Sequence, residues 1–399
     1  MRPGGRGVHG GIGPDVVVAE AGVVAPARRG CSVEAALAVE AGEVTGGVLH
    51  VIDDTCTPDA LLELSALGPA GRDVVCVGPL PVWCDRSLSV CRLPRPNRWG
   101  VRQAGGIARR YAQASAGRKA IQCWSVRAAS AFWAGVSYVP LRLLIRLTEL
   151  PGRDELGLLI ELNELAWPEV VCAAEADAAE LRAAAGRLAV RVIPPATLEA
   201  SGSPADRPAA REGLGIRPEE FVILAGGAVR RGSGHRMAVW AADILHVAGV
   251  PVRLLVQSAG PALKPLEEFL ERVRFRPRVR FVGPEVSVSA LLAAADVVVL
   301  LQRRSFPAAL LACAARAGLP VVAASEVGRR WGLSDGRDAL LAPGGDPRRI
   351  AQALLRLVER PELRSRLGRA GHRGWAGFQS EALSVHRRWA ELYAAEGAG

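Results

Sequence analysis

Between Asp296 and Val322 the chain reads D-V-V-V-L-L-Q-R-R-S-F-P-A-A-L-L-A-C-A-A-R-A-G-L-P-V-V, and few folds accept such a stretch. Val297 to Leu301 is a short, wholly apolar run, the pattern of a strand buried on both faces of a parallel sheet. Gln302 to Ser305 is polar and reads as a loop. Pro307 falls near a first helical turn, where a missing N–H costs nothing. Ala308 to Ala317 reads as a helix, Gly318 as its left-handed cap, and Pro320-Val321-Val322 as the start of the next strand. In an open α/β sheet the loop after such a strand lies at the carboxyl edge, where ligands bind and the following helix points its positive end. A site is expected there, with Arg303, Arg304, Ser305 and Phe306 in its loop.

The same alternation recurs along most of the chain. Leu49 to Asp53, Val74 to Val77, Ala120 to Trp124, Leu141 to Leu147, Val170 to Ala174 and Val190 to Pro194 read as strands. Pro58 to Leu67, Arg102 to Ala114, Val126 to Ala134, Asp154 to Leu165 and Glu175 to Ala185 read as helices among them, the first capped by Thr55 or Thr57. Alternating strands and helices joined by short turns imply a doubly wound parallel sheet. Thr197 to Gly213 is rich in Pro, Ser, Ala and charge, has no apolar period, and reads as a linker. A second such unit opens at Phe221-Val222-Ile223-Leu224-Ala225, followed by a loop bearing Gly226, Gly227, Arg230, Arg231, Ser233 and Gly234, and then a helix from His235 that carries Arg236. Strand, glycine-rich loop and helix amino terminus make an anion site from backbone geometry alone. The basic residues there also fit a solvated turn, with Ser233 as the helix N-cap.

Here the residues carry a resemblance. The frame D-V-V-V-L-L…C-A-A-R-A-G-L-P-V-V-A-A resembles the donor-binding segment of the retaining GT-B glycosyltransferases of the family 4 type, as do V-R-V-I-P at Val190 to Pro194 and V-R-F-V-G at Val279 to Gly283. The resemblance covers roughly residues 47 to 394 and is strongest from 220 to 370. It implies a GT-B fold, two Rossmann-like domains facing each other across a cleft, and transfer of a sugar from a nucleotide-sugar donor to a glycan or lipid-linked acceptor with retention. In that family two Glu stand eight positions apart, an Arg and a Lys hold the donor diphosphate, and a His ends a strand of the first domain. The matching positions here are Ser305 and Cys313, Ala228 and Ser233, and Trp124. The first turn, Asp54-Thr55-Cys56-Thr57, lacks the family's glycine pair. Donor contacts are therefore expected from Gly226, Gly227, Arg230, Arg231, Ser233, Gly234, Arg236, Arg303, Arg304, Ser305 and Phe306. No catalytic residue is assigned. Ser305 as a helix cap and Cys313 as core are the structural readings of those two positions.

The implied domains are an N-terminal extension (1–46), an acceptor-side domain (47–196), a linker (197–213), a donor domain (214–378) and a C-terminal helix (379–399) that crosses back to the first domain. A chain of 399 residues, half of them hydrophobic, suits two such cores. The net charge of +10 is carried almost wholly by Arg, Lys occurring only at Lys119 and Lys264, and no basic run is interleaved with aromatics, so no nucleic-acid partner is expected. The eight Cys form no C-x-x-C pair, which predicts reduced, buried thiols in a cytoplasmic protein. No apolar run approaches a membrane span, leaving at most peripheral membrane contact. No metal or other cofactor is expected, and no strand leads into G-x-G-x-x-G, against a dehydrogenase. The alternative to a transferase is a non-catalytic GT-B protein that binds a nucleotide, a glycan or a partner protein, an active transferase being the natural partner.

Overall fold

The computed structural model describes residues 47–67, 74–78, 80–81, 90–93, 120–135, 141–196, 206–257, 262–273, 275–283, 285–302 and 307–394. The extension at 1–46, the helix expected at Arg102 to Ala114 and the four loop residues Arg303 to Phe306 lie outside them.

The first sheet is wholly parallel and contains β1 (Val48–Asp53), β2 (Val74–Val77), β3 (Cys91–Leu93), β4 (Ala120–Cys123), β5 (Arg142–Leu147), β6 (Glu169–Cys172) and β7 (Ala189–Val192), in the order β3-β2-β1-β4-β5-β6-β7. Helices α1 (Pro58–Leu67), α2 (Val126–Gly135), α3 (Arg153–Ala166) and α4 (Glu175–Ala184) follow β1, β4, β5 and β6. Both faces of the sheet are covered. Leu49 and Val51 enter one core with Phe132 and Leu159, whereas Val48 and Ile52 enter another with Leu64 and Trp389. That two-sided burial is why the central strands are unbroken apolar runs rather than alternating ones.

The second sheet repeats the design. Before it comes α5 (Arg207–Gly213). Then follow β8 (Phe221–Ala225), α6 (His235–Val247), β9 (Val252–Gln257), α7 (Leu263–Leu270), β10 (Val279–Val282), α8 (Val288–Ala294), β11 (Val297–Leu300), α9 (Ala308–Arg316), β12 (Val321–Ala324), the short α10 (Ser325–Gly328) and β13 (Leu340–Ala342). Helices α11 (Pro347–Glu359) and α12 (Pro361–Ala394) end the chain. The strands are parallel in the order β10-β9-β8-β11-β12-β13. The expectation of two doubly wound parallel sheets is met.

Two readings shift. The stretch assigned to the linker ends in α5, which is fastened to the second sheet by charge rather than by an apolar stripe: Arg207 and Arg211 bind Asp296 at 2.6 and 2.7 Å, and Asp296 also accepts from the Val222 N–H. The last helix does not begin at 379. It runs unbroken from Pro361, and its end buries Val385, Trp389, Leu392 and Tyr393 in the core of the first domain, as the crossing-back expectation required. Arg146, fully buried, lies over the Trp389 ring at 5.6 Å, pairs with Glu63 at 2.8 Å and donates to the Ile193 carbonyl at 2.8 Å.

Candidate functional site

The strand order reverses between β1 and β4 in the first sheet and between β8 and β11 in the second. Such switch points open a crevice at the carboxyl ends of the strands. Here the two crevices face each other: Arg230, from the loop after β8, donates to the Thr55 carbonyl in the turn after β1 at 3.0 Å and pairs with Glu149, after β5, at 2.6 Å.

On the second-domain side the glycine loop is held from behind by two glutamines. The Gly227 N–H donates to Gln257 Oε1 at 2.9 Å, and Gln302 Nε2 donates to the Gly226 carbonyl. The Gln257 Nε2 and Gln302 Oε1 atoms are buried and find no partner among the described residues. Gly234 has φ of +77°, and a Cβ there would stand 2.4 Å from Leu301 Cβ and 2.6 Å from the Leu301 carbonyl oxygen, so no larger residue fits. Ser233 is not the N-cap of α6; Gly234 occupies that position. The Ser233 hydroxyl instead accepts from the Arg230 N–H at 3.1 Å and bonds His235 Nδ1 at 2.7 Å. Burial pushes the His235 imidazole down to about 4, so the ring is neutral at ordinary pH.

The first-domain side is built from hydroxyls and acids. The Thr57 and Thr148 hydroxyls bond each other at 3.1 Å, and Thr57 Oγ1 accepts from the Ala60 N–H at 3.0 Å as the cap of α1. Asp53 Oδ1 accepts from the Thr55 N–H, the Thr55 hydroxyl and the Ser125 hydroxyl. Asp59, only 5% exposed, reaches across the cleft and accepts from the Leu310 N–H at 3.0 Å, with the Ala309 N–H also bonded to it. Its carboxyl is raised to about 7, mainly by burial and in lesser part by Glu63, against the lowering effect of those two amides and Arg146.

The expected site residues divide three ways. Gly226, Gly227, Arg230, Ser233 and Gly234 are brought together at the cleft. Arg231 is exposed on the turn, and Arg236 is turned onto α7, over the Phe269 ring at 5.2 Å with its guanidinium 3.4 Å from the Pro265 carbonyl. Arg236 is thus spent on a surface contact because its place on the first turn of α6 faces α7. Arg303, Arg304, Ser305 and Phe306 lie outside the described residues. Of the family-matched positions, Cys313 is packed with Val298, Leu300 and Leu310, its thiol pushed up to about 12 by burial, and Trp124 donates to His50 Nδ1 at 3.2 Å. The sequence reading missed Asp59, Thr148, Glu149, Gln257 and Gln302. A polar residue directly after an apolar strand, as in V-R-L-L-V-Q and V-V-V-L-L-Q, was the available signal for the two glutamines.

The facing surfaces leave little space. A cavity of about 20 Å³ lies between Asp59, Thr148 and Glu149 on one side and Gly227, Ala228 and Gln302 on the other; a second of about 30 Å³ adjoins Thr55, Ser125 and Arg230. Among the described residues no cluster of His, Cys, Asp and Glu could hold a metal ion, and no helix is long and apolar enough to cross a membrane. What the arrangement offers is an anion site: the amino terminus of α9, the loop amides and one guanidinium.

Residues 220–360 match the family model of the glycosyl transferases group 1. A D-inositol 3-phosphate glycosyltransferase of Paenarthrobacter aurescens is 33% identical over 207 residues, which is 48% of this chain and 49% of that protein. The lipopolysaccharide core biosynthesis glycosyltransferase LpsD of Rhizobium meliloti is 31% identical over 112 residues, 28% of this chain and 33% of that protein. The chain thus spans half or less of the length of these curated relatives. Among solved structures, Anabaena Alr3699/HepE in complex with UDP and glucose superposes with a TM-score of 0.71 at 16% identity, over 88% of this chain and 99% of that one. Sucrose-phosphate synthase from Thermosynechococcus elongatus does so with 0.64 at 19% identity, over 87% and 99%. By fold the chain is a GT-B protein, and most of its second domain, residues 220–360, is similar to the group 1 glycosyltransferases.

Proposed function

We propose that the protein transfers a sugar from a nucleotide-sugar donor to a glycan or lipid-linked acceptor, with retention at the anomeric carbon. The observation that carries this reading is Arg230. The two family cations are replaced by Ala228 and Ser233, yet the guanidinium of Arg230, from the loop after the first strand of the second sheet, still faces the cleft, where it meets Glu149 and the Thr55 carbonyl. In this reading Arg230 leaves Glu149 to take the donor diphosphate, and catalysis is positioning plus stabilisation of the departing charge. Arg231, together with Arg303 or Arg304, supplies the remaining cations, Ser305 is assigned to the sugar, and no metal is needed. The acceptor lies on the first-domain side. A cytoplasmic setting fits Cys56, Cys76, Cys123, Cys172 and Cys313, which are free and buried, and membrane contact is at most peripheral. UDP-glucose is the first donor to try, because HepE was solved with UDP and glucose.

A second reading, a non-catalytic GT-B protein that binds a nucleotide, a glycan or an active transferase, is favoured by one specific observation. Trp124 and Cys313, where the family has a proton carrier and an acid, are both buried core. Calorimetric titration with UDP, GDP and their sugars, followed by donor hydrolysis, decides between them. Binding and turnover that are lost in Arg230→Ala support the transferase. Binding without turnover supports the second reading, and no binding up to millimolar nucleotide overturns the transferase for these donors.

A further inference from the structure

The groups that would hold an anion in the cleft are already engaged, and by the chain's own acids. Asp59 sits on the first N–H groups of α9. Glu149 holds Arg230. Both acids belong to the first domain, both of their partners to the second, and Asp59 and Glu149 border one cavity of about 20 Å³. A ligand pocket for a molecule of nucleotide size holds several hundred Å³, roughly 300 to 1,000. The same cavity is bordered by Gln302, whose buried Oε1 has no partner among the described residues, as has Nε2 of Gln257 behind the loop. One buried acceptor at the edge of the cavity, Gln302 Oε1, is thus left unmet in the closed cleft.

We propose that Asp59 and Glu149 form an interdomain clasp in which two carboxyl groups occupy the places of a ligand's anionic groups, so that a nucleotide diphosphate enters only by displacing both. This rests on the donor-site reading above. A carboxyl oxygen and a phosphate oxygen accept the same bonds from a helix amino terminus, and a carboxylate and a phosphate pair alike with a guanidinium, so a ligand's anionic groups can take over both contacts.

The clasp also responds to pH. Around Asp59 the charged and titratable neighbours are Glu63, Arg146, Cys313 and, across the shared cavity, Glu149. Its carboxyl is raised in the closed form, so closure is favoured below the ordinary carboxylate range and that advantage is lost as pH rises through about 7. Asp59→Asn keeps the acceptor oxygen and removes the titration, whereas Asp59→Ala removes the contact.

The test uses the full chain and two readouts. The distance between spin labels placed on the two domains reports opening without any ligand, and calorimetry with UDP and UDP-glucose reports binding. Asp59→Ala and Glu149→Ala should each widen the distance distribution and tighten nucleotide binding by about tenfold. Arg230→Ala should also widen it but weaken binding, so the two halves of one ion pair act in opposite directions, which a merely structural bridge would not produce. Asp59→Asn should remain closed from about pH 5 to 8, while the wild type opens over that range. Wild-type binding that is unchanged or weakened in Asp59→Ala and Glu149→Ala overturns the clasp while leaving the donor site intact. If no variant binds nucleotide, the donor reading fails, and the label distances alone decide: opening in both variants keeps the clasp as an interdomain lock, and no opening overturns it.

Discussion

The carboxyl edges of the two sheets are built from the same topology and use their polar groups differently. In the first domain polar side chains bond mainly one another: Thr57 to Thr148, Asp53 to Thr55 and Ser125, Arg146 to Glu63 and the Ile193 carbonyl. In the second, Gln257, Gln302 and His235 each keep a buried polar atom with no partner among the described residues. A buried polar atom without a partner costs about 1–3 kcal/mol, so an edge that carries several is maintained against stability. Gln122 Nε2 and Trp389 Nε1 in the first core also lack a partner among the described residues, so what sets the second edge apart is that two of its spare atoms belong to the glutamines that hold the glycine loop.

The comparison is broken most severely at Arg146. Arg146→Ala leaves Glu63 buried and unpaired, and a loss of about 3–5 kcal/mol in unfolding free energy is expected by denaturant titration. Gly234→Ala comes next, at about 2 kcal/mol, because it combines positive φ with the approach of Leu301. Gly332 has a similar φ of +76° with open space around it, so Gly332→Ala should cost about 1 kcal/mol, and the difference in melting midpoint isolates the close approach. Asp59 sharpens the comparison through pH. Its carboxyl moves from 3.8 to about 7 on burial, so its stabilising contribution is complete below pH 3.8 and lost as pH rises through 7. Wild-type stability should therefore fall relative to Asp59→Asn with a slope no steeper than about 1.4 kcal/mol per pH unit and run parallel to it above. Thr148→Val is the mildest, about 1 kcal/mol for one hydroxyl contact, read from the same denaturation curves.

How much of this was written in the sequence follows from the range of each interaction. The bounds of α1 and β2 are legible to the residue, because capping by Thr57 and a four-residue apolar run are local facts. Helix α5 was not, since its hold is an ion-pair contact with Asp296, far along the chain, and not an apolar stripe. The C-terminal helix expected over 379–399 is the end of one that begins at Pro361. Gly368 has no space for a Cβ, which would stand 1.9 Å from the Gly318 carbonyl oxygen, so that glycine serves packing rather than a turn. At the site, the glycine loop and α9 could be read as an anion site from their own residues. Asp59 and Glu149 could not, because their partners belong to the other domain and only the folded topology brings them together.

Helix α12 carries a mechanical consequence. At 34 residues it is about 50 Å long, and it returns the chain to the domain it left after Ala196. The two halves are therefore tied by two covalent tethers, like a book bound along its spine. Each half thus meets the other at a high effective concentration. Weak contacts across the cleft suffice to close a molecule bound in this way.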